Sequence, residues 1–506
     1  MDRRRLEAVS SLSEIEIAFF GKTARARKAG GKTMEADPNR ITYLDNARNI
    51  LVYNVVALHV ACMFTYPLQF FWAVIDKTGS SRFYETALIA MDSYLMPCLM
   101  FIAALFIFPS LQKGTAPEYI KKRFLRLVVP ALVFLFCAGD IYFQLLLQRL
   151  NSVAPSYAET FLSFWRFCLN MPGVYLSGSE ATLNMVVFNM QVVWFLMLLF
   201  FATLVVVLAS LPFRRRNDIE PEKVEGRRNI IAKTLVFAAV LGFVYAAALL
   251  YYAFRDIQLL SWLIIGKVLQ FQITKIWILL PLFLFGLYAY RKRWLTGDIG
   301  SWKIWGILAF TFLAVYVLLH HITLLPVVEE WAKVREHNLL FNDRLAKPLT
   351  GVTFELTALG TWFLLPAVCI FLLMFLLSFA KRFFNRSNAV TAFCSRHSIN
   401  VYVLHYAFVL ILQYTFLDLP GPSIVKGVLM ILIVIPACLW LSHRLVYPYP
   451  RAAIASFVLL KLIALAAGFT FYYFALLAVI FISFAGAVIE STRYMTNRKT
   501  ASATAG

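Results

Sequence analysis

Long apolar runs alternate along the chain with short polar segments that are mostly basic. Runs of the roughly 20 residues needed to cross a bilayer lie near 49–72, 88–111, 125–147, 186–211, 230–254, 268–290, 304–325, 356–380, 398–417 and 424–446. Uninterrupted apolar stretches of that length read as transmembrane helices. A further stretch, Ala452 to Ile489, is long enough for two more helices if it turns near Gly468, with Lys461 inside the first of them. The pattern predicts an all-α, polytopic transmembrane helical bundle of twelve spans, with ten or eleven as the alternatives.

Composition agrees with this reading. The 506 residues are 61% hydrophobic and 15% charged, whereas a soluble domain carries about 25% charged residues. Net charge is +21, but the cations fall in clusters between apolar runs and form no single basic face, which argues against a nucleic-acid partner. Cys62, Cys98, Cys137, Cys369 and Cys438 lie within apolar runs. Cys168 and Cys394 lie outside them without CxxC or Cys/His spacing, so no disulfide, structural zinc or other metal is expected.

The charge clusters set the orientation. With the N-terminus inside, 34 of the 48 Lys and Arg residues fall on the inner side and 10 in outer loops, and cytoplasmic segments carry such an excess. An even span count then puts both termini in the cytoplasm. After Met1-Asp2-Arg3-Arg4-Arg5 the chain stays mixed and charged through Arg40, with no signal-peptide h-region. Residues 1–40 read as a basic cytoplasmic tail, with a surface helix over 6–20 and a linker over 21–33, suited to attracting membrane lipids. Core helices fill 41–447, an extra hairpin 448–490, and a second cytoplasmic tail 491–506. The longest outer loops, near 148–185 and 326–355, hold Trp165, Tyr175 and Trp331, which suit sugar stacking or an interfacial aromatic belt. No internal repeat is visible.

Ionisable groups at membrane depth are costly and functional by default. The first span holds Asp45, Arg48 and His59 in YLDNARNILVYNVVALH. Eleven residues are about three helical turns, so Arg48 and His59 share a face about 16 Å apart. Arg48 is expected at the cytoplasmic mouth with Asp45, three residues earlier, pairing with it, and His59 at mid-bilayer. An interhelical hydrogen bond is the alternative role for such a histidine.

With its Leu44-Asp45-x-x-Arg48 context and its Arg48-x10-His59 spacing, this helix resembles the first span of the acyltransferase 3 family of polytopic bacterial membrane O-acyltransferases. Further likenesses follow in order. Lys122-Arg123-Phe124-Leu125-Arg126-Leu127-Val128-Val129-Pro130 resembles the basic RFxRLxxP stretch, Val193-Trp194-Phe195-Leu196 the WFL element, and Tyr402-Val403-Leu404-His405 the late YxxH. The resemblance covers about 41 to 445. It implies a ten-helix acyltransferase core, leaving the last two helices as an addition. The chain departs from the family where Met100-Phe101-Ile102-Ala103-Ala104-Leu105-Phe106 replaces an FFxISGY-like stretch. The NARNILVYNVVALHV run and the loops look like the branch that acylates periplasmic glucans, including glucan succinyltransferases.

The resemblance implies transfer of an acyl group, acetyl or succinyl, from cytoplasmic acyl-CoA to a hydroxyl of a periplasmic or cell-surface glycan at the inner membrane. The physical chemistry is compatible. CoA phosphates need cations at the inner mouth, for which Arg48, Lys122, Arg123 and Arg126 qualify, although plain positive-inside topology also accounts for Lys121 and Lys122. A sugar hydroxyl needs a base to attack a thioester, and a neutral buried imidazole suits. His59 is the expected base, within reach of the thioester arm, and a transient acyl-imidazole is the less favoured variant. Arg126 or an exposed helix end would serve the oxyanion. Trp194, Tyr402 and His405 are the expected substrate contacts, with core hydrogen bonding the alternative for His405.

Other ionisable groups read more blandly. His320, His321, His337, His397 and His443 look interfacial. Asp92, Asp140 and Glu355, near outer span ends, suit sugar hydroxyls or solvent, and Glu329 and Glu330 beside Trp331 form an acidic-aromatic cluster or a solvated face. Three other readings share these features: a transporter or flippase of glycans or lipid-linked sugars, an enzyme of the other large membrane O-acyltransferase superfamily with His405 essential, and a non-catalytic scaffold.

Overall fold

A computed structural model of the chain describes residues 41–66, 72–150, 156–170, 174–176, 191–211, 224–255, 262–324, 326, 352–386 and 388–504. Among them, ten helices are long and apolar enough to cross a membrane, and two shorter apolar helices, Trp194–Ser210 and Ile276–Arg291, fall where two further spans are expected. The molecule is an all-α, multi-pass helical bundle. The expected tail, linker and surface helix over 1–40 lie outside the described residues, as do Glu329, Glu330, Trp331 and His337 and the side chains of Tyr175 and Glu355.

The elements run α1 (Thr42–Ala61), α2 (Arg82–Leu105), α3 (Ala116–Arg123), α4 (Val129–Leu150), α5 (Tyr157–Asn170), β1 (Val174–Leu176), α6 (Trp194–Ser210), α7 (Arg227–Phe254), β2 (Trp262–Ile265), β3 (Leu269–Gln272), α8 (Ile276–Arg291), α9 (Trp302–Leu319), α10 (Val352–Phe383), α11 (Ala389–Phe416), α12 (Ser423–Leu441), α13 (Pro450–Ala467) and α14 (Phe469–Thr504). At the centre, α1 packs against α2, α10, α11 and α12, while α9, α13 and α14 lie peripherally and bury little of their surface. Close approach depends on small residues: a Cβ on Gly286 of α8 would stand 2.6 Å from the Phe101 carbonyl of α2.

Three expected spans differ from those observed. The first ends in a 3-10 turn at Phe64 instead of running to 72, and the next helix begins at Arg82. The described helix of the fourth begins only at Trp194. The sixth does not begin at 268, because residues 262–272 form a hairpin whose β2 pairs with both β1 and β3. Its turn places Gly266 and Lys267 at positive φ, a geometry that hairpin turns favour.

Prolines shape other helices. Pro130 has no N–H to offer the Arg126 carbonyl, and the preceding segment Phe124–Val128 widens into a π-turn with the Val129 N–H reaching the Phe124 carbonyl. The last two helices are separated at Gly468, whose φ of 93° stops α13, and α14 runs on to Thr504, beyond the expected limit of 490. Asp140 of α4 is neither solvated nor open to a ligand. It is 1% exposed and its two carboxylate oxygens each lie 2.6 Å from Nζ of Lys461, itself 0% exposed on α13.

Candidate active site

The end of α1 that carries the LDxxR segment forms a cationic mouth. Asp45 Oδ1 lies 3.3 Å from Arg48 Nη2, one turn along the helix, so the expected pair forms. The same Nη2 donates to the carbonyl of Ser395 at 3.2 Å and to its hydroxyl at 3.0 Å, which fastens α1 to α11. Across the mouth, Arg123 donates through Nε to the Tyr119 hydroxyl at 2.9 Å. Arg126, on the π-turn, is exposed and stands within electrostatic range of Arg48, Arg123 and Asp45. Three cations thus converge where one carboxylate partly balances them. Arg126 thus groups with Arg48, which lies about 16 Å along α1 from His59. Lys122 is exposed on α3, next to Arg123.

His59 sits toward the other end of α1, seventeen residues from Thr42 and five from Phe64, so it occupies the last third of the helix and not its midpoint. Its Nδ1 is 2.9 Å from the Val55 carbonyl and 3.2 Å from Nε2 of His405. In turn, His405 Nδ1 is 3.1 Å from the Val401 carbonyl. A carbonyl oxygen can only accept, so each Nδ1 carries the proton. It follows that His405 Nε2 is an acceptor facing the His59 Nδ1–H, and that Nε2 of His59 keeps its lone pair. His59 is half-buried, whereas His405 is 0% exposed.

The expected substrate contacts lie on α11 and α6. His405 lies behind His59 and is fully buried. Tyr402 is likewise buried and donates to the Val192 carbonyl at 2.9 Å, tying α11 to the entry of α6. Trp194 is half-buried with its ring edge-on to Trp262 of the hairpin at 5.4 Å. His397 also departs from the interfacial reading, being buried with Nδ1 2.8 Å from the Ser442 hydroxyl.

Residues that sequence reasoning missed also border His59, among them Tyr406, whose ring stands edge-on to the imidazole at 5.4 Å. Trp72, buried in the loop after α1, stacks on the imidazole with centroids 5.8 Å apart and planes at 29°. Gln413 of α11 accepts from the Trp72 indole N–H at 2.9 Å and donates to the His59 carbonyl at 2.8 Å. A lone amide in the apolar run VLILQYTF was the available signal. The loop bearing Trp72 is pinned by Asp76, whose N–H donates to the Met63 carbonyl at 3.0 Å and whose Oδ2 accepts from Lys426 of α12 at 2.9 Å. Burial opposes the charge on Asp76, but hydrogen bonds from Lys426, Thr78 and the Gly79 N–H outweigh it and hold the carboxyl below its ordinary value. The stabilisation is therefore present above the usual carboxylate range and is lost as pH falls through the lowered value.

Residues 41–443 match the family model described as an acyltransferase domain, which spans both the cationic mouth and the histidine pair. The chain belongs to the acyltransferase 3 family. No curated protein and no solved structure matches it. As a member of that family it is a multi-pass membrane O-acyltransferase, and α13 and α14 lie beyond the matched region.

Proposed function

We propose that this acyltransferase moves an acyl group, acetyl or succinyl, from cytoplasmic acyl-CoA to a hydroxyl of a periplasmic or cell-surface glycan, with His59 as general base. The observation that carries this reading is the pairing of His59 with His405, which leaves an unprotonated Nε2 on a half-buried ring. The acceptor O–H gives its proton to that nitrogen as its oxygen bonds to the thioester carbon. The C–S bond then breaks, and the proton passes from His59 to the departing CoA sulfur, so the products are the glycan ester and free CoA. His405 acts as a positioning residue. Its Nε2 accepts from the Nδ1–H of His59, fixing the tautomer and strengthening as the imidazolium forms.

Arg48, Arg123 and Arg126 supply the cations for the CoA phosphates, since guanidinium forks suit phosphate oxygens. Their distance along α1 from His59, about 16 Å, is one that an extended pantetheine arm covers. Removing one charge-assisted contact costs about 1.5–3 kcal/mol. Calorimetric titration of Arg126→Ala with acyl-CoA is therefore expected to show binding weaker by that amount in a protein that still folds, and unchanged affinity would leave Arg126 outside the donor site. The proposed orientation places both termini in the cytoplasm. Engineered cysteines near Arg5 and Ala505 should both be shielded from an impermeant thiol reagent in intact cells, and labelling of either would refute that topology. The reaction itself is tested by incubating the purified protein with acetyl-CoA and succinyl-CoA and following free CoA with and without glycan.

A further inference from the structure

The imidazole of His59 stands in an aromatic box that the chemistry described so far does not use. Trp72 covers one face, with ring centroids 5.8 Å apart and planes at 29°. Tyr406 of α11 meets the ring at 90° and 5.4 Å, and Nδ1 is occupied by the Val55 carbonyl and His405. The enclosing rings brace one another. Trp72 meets Tyr406 and Tyr142 of α4 edge-on, each at 5.8 Å, and Tyr406 meets Phe134 at 6.2 Å. Aromatic pairs favour such edge-to-face contacts.

Trp72 belongs to the segment after α1, so its place over His59 depends on how that segment is fastened. Residues 72–75 are all buried. The indole N–H donates to Gln413 at 2.9 Å, and the Gln413 amide donates to the His59 carbonyl at 2.8 Å, at the end of α1 where internal partners for carbonyls run out. Gln413 follows His405 by eight residues, which puts both on one side of α11. That side therefore holds the imidazole, its backbone and its cover. Farther along, the Asp76 N–H donates to the Met63 carbonyl at 3.0 Å, Lys426 of α12 donates to Asp76 Oδ2 at 2.9 Å, and the Ser80 hydroxyl donates to the Tyr66 carbonyl at 2.6 Å.

A thioester beside a base is open to water as well as to a sugar hydroxyl, and water is in large excess. Enclosing the site prevents that side reaction. A stacked indole suits the purpose, because it covers the imidazole while its one N–H is committed to Gln413 and does not compete for Nε2.

We propose that Trp72, seated by Gln413, keeps water from His59 and so makes the protein a transferase instead of a thioesterase. Where the cover is lost, a water molecule gives one proton to His59 as its oxygen bonds to the thioester carbon. The C–S bond breaks and that proton passes to the CoA sulfur, so the products are the free carboxylic acid and CoA. Trp72 acts through His59 and is a positioning residue. The inference rests on the acyl-transfer reading above and adds to it the group that decides between two nucleophiles.

The test uses the full-length protein in detergent with acetyl-CoA or succinyl-CoA, and measures free CoA and acyl ester separately with and without a β-glucan oligosaccharide. Wild type is expected to release little CoA until the oligosaccharide is added, and then one ester per CoA. Trp72→Ala should release CoA without oligosaccharide roughly tenfold faster than wild type and form ester in a minority of its turnovers. Trp72→Phe keeps a ring over the imidazole and should recover part of the coupling. A role in folding alone would lower ester and CoA together and leave their ratio unchanged. The double variant D76N/K426M loosens the same segment without touching the box or stranding a charge, and should shift the ratio in the same direction by a smaller factor. An ester-to-CoA ratio equal to that of wild type in folded Trp72→Ala, or in the double variant should Trp72→Ala not fold, overturns the cap. A wild type that releases no CoA from either donor, with or without oligosaccharide, removes the acyl-transfer reading and the cap with it.

Discussion

Replacing His59 with alanine is expected to slow acyl transfer by 10²–10⁴-fold, the usual cost of losing a general base, while acyl-CoA still binds. The separation follows from the helix itself: the cations that would hold the donor cluster at Arg48, about 16 Å along α1 from the imidazole. His405→Ala should have a smaller effect, since its Nε2 only accepts from the His59 Nδ1–H across 3.2 Å. The replacement His405→Gln retains an acceptor and should recover part of the rate, which a merely space-filling role would not require. Steady-state transfer rates for the three variants, with binding measured alongside, decide the assignment. If His405→Ala proves the more damaging, the roles of the two histidines are reversed. If neither variant affects acyl transfer but both impair glycan export, the protein is a transporter.

The second large effect concerns the added hairpin. Lys461 of α13 is fully buried against Asp140 of α4, and its Nζ also donates to the Tyr157 hydroxyl of α5 at 2.5 Å. The same ammonium lies 4.4 Å from the Tyr157 ring centroid and 5.1 Å from that of Tyr472 on α14. One cation therefore joins both added helices to the core. Breaking a buried pair from one side strands the other charge and costs about 3–5 kcal/mol. Lys461→Met should lower thermal stability in detergent accordingly, and the double variant K461M/D140N should recover much of the loss because no charge is left stranded. Equal destabilisation by the single and double variants would mean that packing around the site, and not the charge, is what matters.

How far the sequence carried depended on whether the relevant contacts were local. Asp45, Arg48 and His59 were legible because they share one helix, where a spacing of three or eleven residues fixes their relative position. The apolar runs likewise announced the helices. What was lost lay between segments. Lys461 stood out as a charge in an apolar run, but its partner Asp140 is 321 residues away and looked like an outer-end carboxylate. His405 was noticed as a candidate contact for substrate, and only the packing of α11 on α1 turns it toward His59. Only the second strand of the hairpin, from residue 268 on, was read as the start of a span, because VLQFQI is apolar enough for either structure. Its alternating glutamines were the missed sign of an extended strand with a polar inner edge.

The most direct measurement of the central claim uses protein reconstituted in vesicles, with labelled acyl-CoA on the face bearing Arg48 and Arg126 and glycan on the opposite face. The account predicts that label appears on the glycan, that CoA is released in equal amount on the donor side, and that both signals fall together in His59→Ala. Label on the glycan at an undiminished rate in that variant, or glycan crossing the membrane without acquiring label, would contradict it.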